Sequence, residues 1–253
     1  MTPIRFPTAA EGIARERDLL ASAKPAILLW QAQQASIVVP EFWLRTPAVQ
    51  DAHAELVAAG WPVLARPSGG GAVPQGPATL NLAVVAPIAS GFRIEDGYEL
   101  ICGMLAEALT RFEIDAVTGA VEGAFCDGSW NVAVGNRKLA GTAQRWSVRS
   151  GARTALMHAA VQLAPLPVSA WHALDIIHRA AGQTRASVSE AHVTLDALLP
   201  GTMRVSGFAG ALARVAEDRL SRALLHKSGD GQTSPFPGQT YPATFVTGMP
   251  SAV

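Results

Sequence analysis

The stretch Arg66-Pro67-Ser68-Gly69-Gly70-Gly71-Ala72-Val73 joins a cation to residues that free the backbone, a combination suited to an anion or a flat charged group. Three glycines in a row open the φ > 0 regions and remove every Cβ that would hold a ligand away. Successive N–H groups turned one way form an anion-binding concavity, and Arg66 stands beside them as a permanently charged fork. The same glycines also read as a plain flexible turn. A second segment, running from Gly135-Asn136-Arg137-Lys138-Leu139 through Ala140-Gly141-Thr142-Ala143-Gln144-Arg145, again sets cations among glycines. Together the two segments suggest a site for an acylated or phosphorylated ligand.

Cys126 is the sharpest nucleophile candidate. It lies in Gly123-Ala124-Phe125-Cys126-Asp127-Gly128-Ser129, and we expect it at the end of a strand Val121–Cys126. A reactive thiol there needs cations or N–H donors nearby, which Lys138 and Arg145 could supply. The competing reading is a small buried hydrophobe, the usual state of a free cysteine and the one that fits Cys102 in its apolar helical pattern. Alternation along the strand puts Lys138 on the face of Ala140, where it is either a cleft cation for a carboxylate, phosphate or oxyanion, or an ordinary surface lysine. His158 sits in an apolar strand and reads as a partly buried, backbone-bonded histidine. His172, His178 and His192 have no ligand-like spacing, so no metal site is expected.

The elements that must position these residues follow from periodicity. Helices are expected over 10–23, 48–60 (with Pro47 in its first turn and Gly60 as its stop), 94–111, 169–181 and 203–225. Strands are expected over 26–30, 36–40, 61–66, 80–86, 121–126, 130–134, 138–145 and 154–163, and Gly135-Asn136 is a two-residue hairpin signal. Helices and hairpins mix without a strand–helix alternation. That argues for an α+β fold, a mixed or antiparallel sheet with flanking helices, those helices on one side. Ser228–Val253, rich in Gly, Pro, Ser and Thr, reads as a surface-hugging or disordered tail after a domain spanning 1–227.

Bulk composition narrows the class. The 253 residues can bury a proper core. Lys+Arg and Asp+Glu both total 20, so the chain lacks the basic footprint of a nucleic-acid binder. Cys102 and Cys126 make neither a disulfide framework nor a metal spacing. No apolar run reaches the roughly 20 residues of a membrane span, and Met1–Ala10 lacks an apolar export segment. A cytoplasmic protein without membrane or nucleic-acid partners is the expectation.

At these residues the chain resembles the lipoate–protein ligase and octanoyltransferase superfamily, whose catalytic fold is shared with biotin–protein ligases. Arg66, Ser68, Gly69, Gly70, Gly71, Ala72, Val73, Leu80 and Asn81 match its glycine-loop signature. Arg137, Lys138, Leu139, Gly141, Ala143, Gln144 and Arg145 match its lysine signature, with Asn136 at a usual glycine. The resemblance covers roughly residues 10–225. It implies that Lys138 is the cation at the reacting carbonyl, and that Arg66, Ser68, the three glycines, Ala72, Asn81, Asn131, Gly141, Thr142, Ala143 and His158 bind substrate.

Two departures shape the expected mechanism. Pro74-Gln75-Gly76 stands where many relatives carry a histidine. Cys126-Asp127-Gly128-Ser129-Trp130-Asn131 is similar to the Cys-Pro-Gly-x-Tyr/Phe-Asp segment of the cysteine-dependent amidotransferases, with Asp127 for Pro and Asn131 for Asp. The resemblance therefore implies Cys126 as nucleophile in transfer of an octanoyl or lipoyl group, with no further cofactor. The alternative is an ATP- and Mg-dependent lipoate–protein ligase acting through lipoyl-AMP. A third reading is a binding module without catalysis. Residues 187–253 leave no room for the second domain of larger ligases, which leans toward transfer. The implied partners are lipoyl-domain proteins, the glycine cleavage H protein or a 2-oxoacid dehydrogenase E2.

Overall fold

A computed structural model describes residues 2–149, 151–183, 186–199, 205–226 and 244–245. Its helices are α1 (Ala9–Ser22), α2 (Pro47–Ala58), α3 (Ile94–Thr110), α4 (Val168–Ala180), α5 (Leu195–Leu198) and α6 (Val205–His226). Its strands are β1 (Ile4–Phe6), β2 (Ala26–Ala32), β3 (Ser36–Pro40), β4 (Val63–Arg66), β5 (Val73–Gln75), β6 (Thr79–Pro87), β7 (Val117–Gly119), β8 (Asn131–Val134), β9 (Arg137–Arg149), β10 (Ala152–Gln162) and β11 (Thr244–Phe245).

The large sheet runs β1-β2-β6-β10-β9-β8-β7, with β11 beside β2. Both β1 and β11 pair with β2 in parallel, and the remaining neighbours are antiparallel. A small sheet, β4-β3-β5, mixes one parallel and one antiparallel pair. The fold is therefore α+β with mixed sheets, as the sequence implied. The tail expected over 228–253 lies outside the described residues, except for Thr244 and Phe245.

Helices cover both faces of the large sheet, where one side was expected. Ile101, Met104 and Leu105 of α3 and Phe208 and Leu212 of α6 pack on Leu29, Leu82 and Met157. Ile13 and Leu19 of α1 pack on the opposite face with Leu28, Trp30, Val85 and Leu156. The strands announce this themselves: every residue of β6 and all but Gln31 of β2 are buried, so neither face is wetted. Gly12 lets α1 lie flat there, since a Cβ would come within 2.4 Å of the Trp30 ring. The small sheet buries Ile37, Val39 and Val63 against α2 and α4.

Two local expectations change. Residues 121–126 are turns, not a strand. Gly123 (φ +78°) and Cys126 (φ +51°) take left-handed backbone that a strand excludes, and the Val121 N–H donates to Asp127 Oδ1 at 2.9 Å instead of to a ladder. The edge neighbour of β8 is β7. Second, Lys138 does not share the face of Ala140. Ala133 pairs with Lys138 and Val132 with Ala140, so Leu139 is an extra residue and the alternation skips. Ala140 goes into the α3–α6 core, whereas Lys138 turns over Gly141. Gly135 (φ +55°) and Asn136 (φ +58°) form the expected hairpin turn before it.

Candidate active site

Two loops from the two sheets meet at one contact. The glycine loop leaves β4, and the Cys126 turn is anchored by Phe125, which packs in the small-sheet core. The Gly71 N–H donates to Cys126 Sγ at 2.8 Å. A Cβ on Gly71 would lie 3.1 Å from Cys126 Cα and Cβ, and one on Gly70 would lie 3.0 Å from its Sγ. Gly70 also takes φ +99°. Gly69 faces open space, so two of the three glycines are required by contact.

Arg66 builds this loop from inside. It donates to the carbonyls of Val38 (2.9 Å), Gly69 (2.8 Å) and Gly71 (2.7 Å). Burial lowers its pKa, opposed by the fields of Cys126 and Glu16. The guanidinium expected to hold an anion thus has much of its fork turned to loop carbonyls.

Lys138 is buried and donates to the carbonyls of Phe125 (2.6 Å) and Cys126 (3.0 Å), with its ammonium 4.9 Å from the Phe125 ring centre. Burial pushes it down to about 8, opposed by Cys126 and Asp127 and reinforced by Arg66. Arg145, expected to share this work, is exposed. His192 supports the turn from behind: its Nε2 accepts the Phe125 N–H at 3.3 Å and its Nδ1 reaches Val188 O at 3.0 Å. Burial lowers the His192 pKa to about 4.

From Cys126 a narrow slot runs between the two sheets, floored by Gly141, Ala143 and Ala160 and walled by Val38, Val73 and Leu166. Small residues on β9 and β10 leave its width. Polar side chains line it too. Glu16 Oε2 lies 2.9 Å from His158 Nδ1 and Glu16 Oε1 accepts Trp30 Nε1–H at 2.9 Å, while His158 Nε2 lies 2.8 Å from Ser68 Oγ. Asn81 and Gln75 exchange reciprocal amide bonds of 2.9 and 2.8 Å. A second, broader cavity of about 690 Å³ also borders Cys126, together with Gly70, Gly71, Tyr98 and Trp130. Cys126 and Thr142 line both spaces.

Most of the expected site residues converge here. Asn131 borders the broader cavity and donates to Gly128 O at 2.9 Å, and the Thr142 hydroxyl donates to Trp130 O at 2.6 Å. Ala72 does not line either space; it packs in the small-sheet core. Cys102 is buried in the α3 core, where burial raises its pKa. Sequence reasoning missed Glu16, Trp30, His192 and Gln162. Of these only Glu16 left a signal, a carboxylate three residues after Ile13 on the buried stripe of α1.

A family model described as the lipoyl protein ligase A/B catalytic domain matches residues 8–216. The chain belongs to this family. It is 40% identical over 87 residues to an octanoyl-[GcvH]:protein N-octanoyltransferase of Kyrpidia tusciae, a match spanning 34% of this chain and 30% of that relative. The chain spans about half the length, or less, of the curated relatives it matches. Among solved structures it resembles protein Ta0514 of T. acidophilum with bound lipoic acid (TM-score 0.65, 17% identity, covering 87% of this chain and 86% of that one). It also resembles lipoate-protein ligase A bound with ATP (TM-score 0.65, 16% identity, covering 87% and 84%). These likenesses establish the fold. Among the described residues no helix is long and apolar enough to cross a membrane.

Proposed function

We propose that this chain moves an octanoyl or lipoyl group onto a lysine of a lipoyl-carrier domain. The observation that carries the reading is the meeting of Cys126 Sγ with the Gly71 N–H where a narrow slot and a broad cavity share Cys126. The narrow slot suits an acyl chain, and the broader cavity suits the polar body that brings or removes it.

In one route Cys126 attacks the acyl carbonyl of a donor carrier. The Sγ–acyl bond forms, the donor's bond to that carbonyl breaks, and the thiol proton leaves with the donor. Lys138 and backbone N–H groups of the glycine loop stabilise the oxyanion, and the acceptor amine then displaces Cys126. The names of the N-octanoyltransferase relatives support this route. In the other, the carboxylate of free lipoate attacks the α-phosphate of ATP, accompanied by Mg²⁺, as pyrophosphate leaves, and the acyl-adenylate is held beside Lys138 until the acceptor lysine displaces AMP. The ligands of two structural neighbours, lipoic acid and ATP, speak for this second route, and the broader cavity has room for a nucleotide. Both routes take a lipoyl-domain protein, the glycine cleavage H protein or an E2 component, as partner, and both belong to a cytoplasmic enzyme. The domain doing this work is taken as residues 1–227, with 228–253 as an appended tail.

Incubation with an octanoyl carrier, followed by intact mass measurement, separates the routes. One added octanoyl group, absent in Cys126→Ala, is the expected result for the first. Lipoate-dependent pyrophosphate release that survives Cys126→Ala selects the second. Absence of both, with acceptor domain present, rejects the reading altogether.

A further inference from the structure

We propose that His178, on α4 in the wall of the broader cavity, takes the proton from the acceptor lysine as its nitrogen is acylated. The proposal rests on the acyl-transfer reading above and adds to it a residue for the step that ends both routes.

Among the described residues, three histidines line the slot or the broader cavity. Two of them are fully engaged. His158 meets Glu16 and Ser68 through its two ring nitrogens, and His192 meets the Phe125 N–H and Val188 O. His178 lines the broader cavity and is only 6% exposed, yet neither of its ring nitrogens has a hydrogen-bond partner among the described residues. Its ring contact is with Trp43, edge-on, with centres 6.1 Å apart and planes at 72°. The unpartnered side-chain polar atoms sealed from all access are Ser36 Oγ and Gln162 Oε1, so the His178 nitrogens keep accessible surface.

A buried imidazole with both nitrogens idle is costly, because its water is lost without replacement. The other proton carriers on this cavity are less suited. Asp127 is exposed and already accepts the Val121 N–H, and burial raises the pKa of Tyr98, which keeps its proton. Burial lowers the pKa of His178, opposed by Asp175 of its own helix and reinforced by Lys138. The ring therefore meets the substrate neutral, with one nitrogen free to accept. That the Lys138 charge acts on it ties His178 to the reacting end of the site, since the same ammonium lies 3.0 Å from Cys126 O.

The step balances as follows. The neutral lysine amine attacks the acyl carbonyl, and as the N–C bond forms its nitrogen becomes cationic and acidic. His178 accepts one proton from that nitrogen. The bond from the carbonyl to Cys126 Sγ, or to AMP, then breaks and its electron pair leaves with the sulfur or the phosphate oxygen. The imidazolium gives its proton to solvent in the cavity.

The test separates the proton from the bond. Octanoyl is loaded onto Cys126 of the full-length protein from octanoyl-CoA, a thiol exchange with no amine proton to move, or is supplied as octanoyl-adenylate. The acyl group is then chased with an apo lipoyl domain or with hydroxylamine, whose nitrogen is neutral at pH 7 and loses its proton to water once acylated. In His178→Ala, transfer to the domain should fall ~10²-fold or more, while cleavage by hydroxylamine stays within about threefold of wild type. Added imidazole should restore part of the lysine rate. His178→Gln keeps a polar side chain without basicity; it should behave as the Ala variant does, and it serves if that variant does not fold. Lysine transfer at the wild-type rate in either variant overturns the proposal, and so does an equal loss toward lysine and hydroxylamine. Wild-type protein in the same assay separates the two levels of failure. If it acylates the domain from neither donor, the acyl-transfer reading itself fails, whereas wild-type transfer with unaffected variants defeats the role of His178 alone.

Discussion

The Lys138 ammonium donates to the main-chain carbonyl of Cys126 at 3.0 Å, so the cation and the thiol belong to one hydrogen-bonded turn. The same ammonium holds the Phe125 carbonyl at 2.6 Å, and both carbonyls lie where the chain turns with Cys126 at φ +51°. A left-handed non-glycine residue costs energy that its surroundings must offset. Lys138 is a main part of that offset.

Lys138→Met therefore should act twice. Acyl transfer is expected to fall ~10²–10³-fold in kcat/KM through loss of the cation at the carbonyl. Stability is expected to fall by about 1–3 kcal/mol, because two buried carbonyls lose their donor. Urea denaturation beside steady-state kinetics checks both. An unchanged denaturation midpoint would mean the turn holds itself without the lysine.

The titration of Lys138 sets activity and stability against each other in alkali. The folded chain gives up this proton near pH 8, while an unfolded lysine keeps it to about 10.5. Between those values the unfolded state binds more protons, so this group's contribution to stability rises with pH. The cation is lost over the same window, so transfer should decline above pH 8 while the protein melts no lower on this group's account. A rate profile flat to pH 10 would show that the ammonium is not used.

The glycines should be unequal. Gly71→Ala puts a Cβ 3.1 Å from Cys126 Cα and Cβ, which pushes the two loops apart and should cost well over tenfold in transfer. Gly69→Ala meets nothing within 4 Å and should leave transfer within about twofold of wild type. Comparable losses in both would mean that loop flexibility, and not close approach, is what the glycines provide.

His192 should make the site acid-sensitive. Its Nε2 accepts the Phe125 N–H, so the ring proton sits on Nδ1 and protonation of Nε2 breaks the bond to the Cys126 turn. The folded pKa of about 4 lies below the ordinary 6.5, so the unfolded chain binds the extra proton as pH falls through that interval. Stability contributed by this group is complete above pH 6.5 and lost toward 4, by up to about 3 kcal/mol. His192→Gln should flatten the melting temperature between these values, even if it starts lower at pH 7. An equal slope in the variant would move the effect elsewhere.

The parts of the site legible in the sequence were those written as contiguous residues. The glycine loop and the lysine segment carry their geometry locally, in backbone freedom and a hairpin turn, so Gly71 and Lys138 were found. Cys126 was found too, but its apolar neighbours Val121, Ala124 and Phe125 mimic a strand, and only the Asp127 contact with the Val121 N–H reveals the turn. Glu16 and His158 are 142 positions apart, and neither residue type announces the other. The face of Lys138 was misjudged because one extra residue at Leu139 resets the alternation, and a bulge leaves no compositional mark there. Helices on both faces were legible in retrospect from the apolar runs 26–30 of β2 and 82–87 of β6.

Because the Gly71 amide bonds directly to Cys126 Sγ, a single glycine resonance becomes a gauge of what the sulfur is carrying. A thioester sulfur is a feebler acceptor than a thiol or thiolate, and its attached chain would crowd the Gly71 amide that approaches it at 2.8 Å. On the cysteine route, loading and unloading of Cys126 would thus be followed in real time by nitrogen-15 labelling of glycine alone, with no chromophore, tag or modified substrate.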